Sequence, residues 1–239
     1  MFKLMHADLY KTFHRAYFFV MMLCISALCV GMIFAIRGGS YGNWTNSAML
    51  GVSLLSYPII ILPMITQIVS AEEYRDHTLK NTLSFGTNRA ALYASKWLTT
   101  ILLGVLLTVV VLAVYFGSSA LLLTKDAAFS GKVLNEFFIR LGASCSVYVA
   151  CISMSVFFIA LFNRSTLAIF LYYGGFYLTD LILKLFHLGK GADYLLKTQI
   201  ADIASKPIAQ LQTPVTISLI TMAVFFLAGM AIFRRKDFI

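Results

Sequence analysis

Few residues of this 239-residue chain have the types and spacing that catalysis requires. Ser144 lies in the small-residue stretch Gly-Ala-Ser-Cys, and a serine nucleophile needs a base within hydrogen-bond reach. The four histidines, at positions 6, 14, 77 and 187, lie outside the apolar runs and far apart along the chain. We therefore predict no catalytic residue and no metal-binding residue.

Nucleotide binding also lacks its sequence signature. The phosphate loop Gly-x-x-x-x-Gly-Lys-Ser/Thr does not occur, and the nearest fragment is Gly189-Lys190-Gly191. None of the four cysteines belongs to a Cys-x-x-Cys pair, so we interpret them as small buried hydrophobic residues. The chain is expected to bind no cofactor of its own.

The densest group of reactive side chains is EEYRDHTLKNTLSFGTNR, at residues 72–89. Asp76 or Thr78 can cap the start of a helix there, and Leu79 and Leu83 share one helical face. The stretch holds three acidic and three basic residues, which nearly cancel. Balanced charge favours a protein groove over an anionic membrane surface as the partner of this helix.

The end of the same stretch predicts a second helix. Gly86 suits the left-handed end of the first one. Thr87 or Asn88 can then cap a helix that runs from Arg89 directly into the next apolar run.

The bulk composition indicates a membrane protein. The chain is 60% hydrophobic and only 12% charged, with a mean hydropathy of +0.84. Six apolar runs are long enough, or nearly so, to cross a bilayer as helices. They cover residues 16–36, 48–70, 97–123, 137–161, 166–186 and 215–233. We predict an all-α membrane protein with a single transmembrane domain over residues 1–239.

Lysine and arginine set the predicted orientation. With both termini inside, eleven of these cations lie on the cytoplasmic side and eight outside. Residues 71–96 then form a cytoplasmic loop, and residues 187–214 form an extracellular connection of short helices. The net charge of +9 is explained by cations at the ends of spans, so we expect no nucleic-acid partner.

Residues 1–15 have the periodicity of an amphipathic helix that lies on the membrane surface in contact with lipid. Asp8 falls among the cations of its polar face. The apolar and basic residues that we assign to this interfacial helix are Phe2, Met5, Leu9, Phe13, Lys11 and Arg15.

These features together resemble the permease subunits of type-2 ABC exporters. The resemblance comprises the N-terminal helix, six spans, the acidic Thr-Leu-containing stretch after span two, and the basic C-terminal end Phe233-Arg234-Arg235-Lys236-Asp237-Phe238. The family usually has glycine at the position of His77.

The resemblance implies that the helix after span two is a coupling helix, which docks in a groove on a separate ATPase. Two ATPase subunits, which bind ATP and Mg²⁺, and two permease chains then form one transporter in the bacterial cytoplasmic membrane. On this basis the ATPase-coupling residues are Glu72, Glu73, Tyr74, Arg75, Asp76, His77, Thr78, Leu79, Lys80 and Leu83.

The cargo is inferred from aromatic residues of spans four and five. They suit an amphipathic cargo, which we take to be a peptide, with lipid, drug or polysaccharide export as alternatives. The proposed cargo-facing residues are Phe157, Phe158, Tyr172, Tyr173 and Tyr177.

Two other classes of protein are weaker interpretations. A secondary transporter would carry ionisable residues near mid-membrane, but Asp180 and Lys184 look like a local ion pair near the outer end of span five. An intramembrane enzyme lacks a base for Ser144.

Overall fold

The computed structural model describes residues 1–38, 42–75, 86–126, 129–162, 165–186 and 189–236. In these ranges the regular secondary structure is helical, apart from a one-residue parallel bridge between Asn43 and Thr124. The α-helices are α1 Phe2–Phe13, α2 Ala16–Arg37, α3 Trp44–Leu54, α4 Pro58–Arg75, α5 Arg89–Leu122, α6 Gly131–Phe162, α7 Ser165–Leu185, α8 Gly189–Ala192, α9 Leu196–Ser205 and α10 Gln212–Arg235.

Five of these helices are long and apolar enough to cross a membrane by themselves, and a sixth candidate is the bent pair α3 and α4. The 22 residues of α2, at 1.5 Å per residue, extend about 33 Å, which matches a hydrocarbon core. The prediction of an all-helical membrane protein is therefore confirmed, with five or six candidate spans in the described chain.

Helix α1 is separated from α2 by a break at His14 and Arg15. One face of α1 packs against α4 and α5, and the side chains buried on that face are Asp8 and Thr12. The sequence pattern placed Asp8 on the polar outer face, which is wrong. Its burial is possible because a lysine of α5 pairs with it, as described below.

The second candidate span is broken rather than continuous. Helices α3 and α4 are bent by 54° relative to each other, with residues 55–57 between them and Pro58 as the first residue of α4. Pro63 lies inside α4. Proline has no N–H group, so Pro63 leaves the carbonyl of Ile59, four residues earlier, without its helical donor.

Tyrosine hydroxyls from α6 and α7 satisfy carbonyls of this broken span. Tyr172 Oη donates to Ile59 O at 3.2 Å, which is the carbonyl released by Pro63. Tyr173 Oη donates to Ile60 O, and Tyr148 Oη donates to Leu55 O. Within a bilayer, freed backbone groups need such internal partners because no water reaches them.

The third span begins earlier than its apolar run. Gly86 has a positive φ of 78°, and Asn88 then caps α5 by accepting from the backbone N–H of Ala90 at 2.9 Å. Helix α5 continues without a break from Arg89 to Leu122. The stretch before the run is therefore the first two turns of the same 34-residue helix.

Helix α6 forms the centre of the bundle, with α3, α4, α7, α9 and α10 packed around it. At one end of the bundle, α9 is buried through Leu196, Ile200 and Ile203 and ends at Ser205. Pro207 then precedes a 3₁₀ turn over Ile208–Gln210. Arg140 of α6 donates to Ile203 O and to Lys206 O, which are carbonyls at the end of α9. This contact fixes the connection before α10 to the central helix.

Candidate functional site

A cluster of four charged residues joins three helices at the end of the bundle opposite α9. We call Asp8, Lys11, Glu73 and Lys96 the charged cluster. Lys96 Nζ lies 2.6 Å from Asp8 Oδ1 and 2.8 Å from Glu73 Oε2. Lys11 Nζ lies 2.8 Å from Glu73 Oε1. The two carboxylates and two ammonium groups therefore form one continuous chain of ion pairs.

The position of each charged residue follows from its place along its own helix. Asp8 and Thr12 are four residues apart and share the buried face of α1. Glu73 lies near the end of α4, two residues before Arg75, at which the described part of that helix ends. Lys96 lies seven residues, or two turns, after the start of α5. The Asn88 cap fixes where α5 starts and so fixes the position of Lys96.

The cluster is mostly removed from solvent. The side chains of Lys96, Asp8 and Glu73 are 8%, 6% and 13% exposed, whereas Lys11 is 52% exposed. Isolated charges at such depth are unstable, so each of the three depends on its partners. The cluster is therefore a buried tie between α1, α4 and α5, with Lys11 closing it on the solvent side.

The pKa values of the two carboxyls are shifted in opposite directions. Burial raises the pKa of Asp8 above its ordinary value, because Lys96 opposes the loss of solvation only in part. Burial also acts to raise the pKa of Glu73, but Lys96 and the hydrogen bonds from Lys11 and Lys96 outweigh it and lower that pKa. Glu73, which is held by two ammonium groups, is therefore the firmer anion of the pair.

Neighbouring contacts extend the tie along α4. Arg15 Nη1 donates to Ile68 O at 3.0 Å, and Lys96 Nζ lies 3.5 Å from Val69 O. Asp8 Oδ2 and Ser70 Oγ are buried with no hydrogen bond among the described residues. Among those residues there is also no cluster of His, Cys, Asp and Glu that fits a metal ion. The arrangement is suited to holding helices together.

The predicted coupling residues lie in and after the last turns of α4. Glu73 belongs to the charged cluster, and Glu72, Tyr74 and Arg75 are in α4, although their side chains are outside the described set. The remaining six fall outside the described residues: Asp76, His77, Thr78, Leu79, Lys80 and Leu83. The charged cluster therefore ties together α4, which leads into residues 76–85, and α5, which follows them.

The residues assigned to the interfacial helix divide between two environments. Phe2 and Phe13 are exposed, at 76% and 40%. Met5 and Leu9 are half-buried, and Leu9 packs against the hydrophobic core. Lys11 and Arg15 were assigned to the membrane surface by sequence, but they bind Glu73 and the carbonyl of Ile68. Contact of α1 with lipid stays a prediction.

Most of the proposed cargo-facing side chains contact other residues of the same chain. Tyr172 is fully buried and, with Tyr173, supports the broken span, so its assignment as cargo-facing is wrong for this conformation. Phe157 and Phe158 are half-buried and pack their rings against Phe225 of α10. Tyr177 is 42% exposed, and Lys197 Nζ lies 5.5 Å from its ring centroid.

Lys197 also forms an ion pair with Asp180. Its Nζ lies 3.0 Å from Asp180 Oδ2, which links α9 to α7 across a sequence separation of 17 residues. The sequence paired Asp180 with Lys184, whose side chain is outside the described set. Asp180 is thus bound to the connecting helices at the rim of the bundle, which differs from the mid-membrane ion site of a secondary transporter.

A sequence model of the ABC-2 family transporter proteins matches residues 6–177, which is most of the chain and includes the whole charged cluster. No curated protein matches the chain.

Proposed function

Because the chain belongs to the ABC-2 transporter family, it is a multi-pass membrane component of an ABC transporter, and we propose that it is the permease subunit of an ATP-driven exporter. The observation that carries the proposal is the charged cluster. It joins α1 to both helices that flank residues 76–85, and so stiffens the end of the bundle that carries the proposed docking segment.

In the proposed transporter, ATP and Mg²⁺ are bound by a separate ATPase subunit. The absence of a phosphate loop from the sequence supports this division of labour. Residues 72–83 are the proposed docking segment, and the transporter contains two ATPase subunits and two permease chains. The chain itself is proposed to catalyse no reaction and to bind no cofactor.

The docking segment is tested by a paired substitution. Leu79→Asp with Leu83→Asp puts two charges into the apolar face predicted to meet the ATPase groove, so association of the complex should weaken at least tenfold. The readouts are copurification of the ATPase, ATP hydrolysis and transport. The matched control is Tyr194→Asp, at a 67% exposed aromatic residue between α8 and α9 and outside the candidate spans, which should leave all three unchanged. Normal association and transport by the double variant would refute the docking assignment.

The orientation is a second proposal with its own test. Both termini and residues 76–85 are proposed to face the cytoplasm of a bacterial cell, as the bias of lysine and arginine indicates. A cysteine introduced at Thr78, after replacement of the four native cysteines, should react with a membrane-impermeant maleimide only in opened cells. Labelling in intact cells would invert the topology.

The proposed cargo is an amphipathic peptide. Its support is an aromatic and apolar surface, with Tyr177 and Phe170 exposed on α7 at 42% and 74%. A transport assay over a panel of peptides, phospholipids and small drugs in proteoliposomes would test this choice. ATP-dependent accumulation of peptides alone would agree with it, whereas movement of lipids or drugs alone would assign one of the alternatives.

A further inference from the structure

Residues along one side of the first turns of α5 pack against α10 and α6. Arg89, Tyr93 and Trp97 are spaced by four residues and therefore lie along one side of the helix. Tyr93 packs against the Phe226 and Phe233 rings of α10, with centroid distances of 5.7 Å for both. The start of α5 is thus held by α10 along two turns.

Trp97, on the same side of α5, reaches the central helix. Its ring centroid lies 4.6 Å from that of Phe226, and its Nε1 donates to Ser153 Oγ of α6 at 2.8 Å. The indole therefore contacts α10 and α6 at once. These packing contacts fix the lateral position of α5 against α6 and α10.

Arg89 makes a directional contact with the end of α10. Its Nη1 donates to Arg234 O at 3.0 Å and to Lys236 O at 2.8 Å. The last carbonyls of a helix have no partner within the helix and carry partial negative charge. A guanidinium on those carbonyls therefore satisfies them and binds the first residue of α5 to the last turn of α10.

Lys236, at the same helix end, makes the next contact. Its Nζ donates to Leu161 O at 2.9 Å and also to Ala160 O. These are carbonyls of the last turn of α6, which ends at Phe162. The end of α10 is thus held by a cation from α5 and supplies a cation that holds α6.

We propose that Arg89 and Lys236 form a positioning relay, in which a displacement of the start of α5 moves the end of α10 through Arg89 and the end of α6 through Lys236. Both links are charge-assisted hydrogen bonds to helix-end carbonyls, which resist separation along the bond. The transport consequence of the relay rests on the proposed function, whereas its mechanical consequence does not.

The mechanical arm is a double-mutant cycle on the purified chain in lipid nanodiscs. Arg89→Ala and Lys236→Ala should each lower Tm by about 2–4 °C. Arg89 fixes the backbone from which Lys236 reaches α6, so the double variant should fall little further than the worse single one. Additive losses would overturn the relay, because they would show two independent contacts. Arg235→Ala, which removes an exposed cation from the same turn, is the control and should leave Tm unchanged.

The transport arm uses the complex with its ATPase. Arg89→Ala and Lys236→Ala should leave association with the ATPase intact and lower ATP-driven transport at least tenfold, and Arg89→Lys should restore part of it. Transport at the wild-type rate would overturn the relay, and loss of association would assign Arg89 to docking instead. If the wild-type chain binds no ATPase, the proposed function fails, and the double-mutant cycle still decides the relay.

Discussion

Lys96→Met is expected to destabilise the chain by about 3–5 kcal/mol, because it leaves two buried carboxylates without their shared cation. Asp8 is 6% exposed and Glu73 13% exposed, so solvent cannot replace the ammonium group. Lys11 still reaches Glu73 but makes no ion pair with Asp8. The measurement is the thermal midpoint of the purified chain in nanodiscs, together with protease sensitivity of α1.

The pH dependence of this variant identifies the cause. Without Lys96, the folded-state pKa of Asp8 rises further above its ordinary value, and that of Glu73 rises because only Lys11 still pairs with it, so the folded variant binds protons more tightly than the wild type does. The deficit of Lys96→Met should therefore be greatest at high pH and shrink as pH falls through those raised values. A deficit independent of pH would point to lost packing and contradict the electrostatic explanation.

Two control variants test whether stranded charge causes the destabilisation by Lys96→Met. Adding Asp8→Asn and Glu73→Gln to Lys96→Met removes the stranded charges and should recover much of the stability. Lys206→Met breaks an i,i+4 pair with Asp202 at a lysine that is 43% exposed, and such pairs contribute about 0–1 kcal/mol. If Lys96→Met were as mild as Lys206→Met, the charged cluster would not be a tie.

Gly229→Ala is expected to disrupt the contact between α5 and α10. A Cβ atom at position 229 would lie 2.8 Å from Cζ of Tyr93 and closer still to its hydroxyl. Tyr93 is 1% exposed, and its rigid ring is enclosed by Phe226 and Phe233, so it has no room to move. Overpacking of this kind costs about 3 kcal/mol, against about 1 kcal/mol gained when alanine replaces glycine in a helix.

The net loss of about 2 kcal/mol should lower Tm by roughly 4–8 °C. Gly117→Ala in α5 is the matched control, because a Cβ atom there meets nothing within 4 Å, and it should be neutral or stabilising. Tyr93→Phe alone should also be near neutral, since the hydroxyl makes no hydrogen bond among the described residues. A normal Tm for Gly229→Ala would show that α5 and α10 separate easily, and would weaken the relay as well.

Local signals in the sequence predicted much of the fold. Apolar runs located the candidate spans, because a bilayer core imposes a length and composition that few other structures need. The Asn88 cap and the helix from Arg89 into the third span follow from capping rules that act over a few residues. The positive φ of Gly86 follows from the same kind of local rule.

Local sequence signals could not predict the ion pairs of the charged cluster, because those pairs join residues far apart in the chain. Asp8 and Lys96 are 88 positions apart, and each alone looks like a surface charge beside an apolar segment. One signal was present, because Lys96 lies directly before the apolar run of the third span, where a cation needs a partner. The partner itself follows only from how α1 packs against α5.

The tyrosines of α7 show the same limit. Their clustering suggested a surface for cargo, because sequence does not say which way a tyrosine of a spanning helix points. Pro63 indicated that Ile59 O would need a donor, but the donor comes from Tyr172, 113 residues later. Tyr172 and Tyr173 therefore stabilise the broken span by hydrogen bonds to its carbonyls.

An ATP-driven transporter is distinguished from a secondary transporter by ATP hydrolysis in the complex isolated from native membranes through a tag on this chain, with transport measured after its reconstitution into proteoliposomes. We predict that a Mg²⁺-dependent ATPase subunit elutes with the chain, and that transport requires ATP and stops when ATP is removed. Elution without an ATPase, with transport that follows an ion gradient in the absence of ATP, would rule out an ABC exporter and identify a secondary transporter.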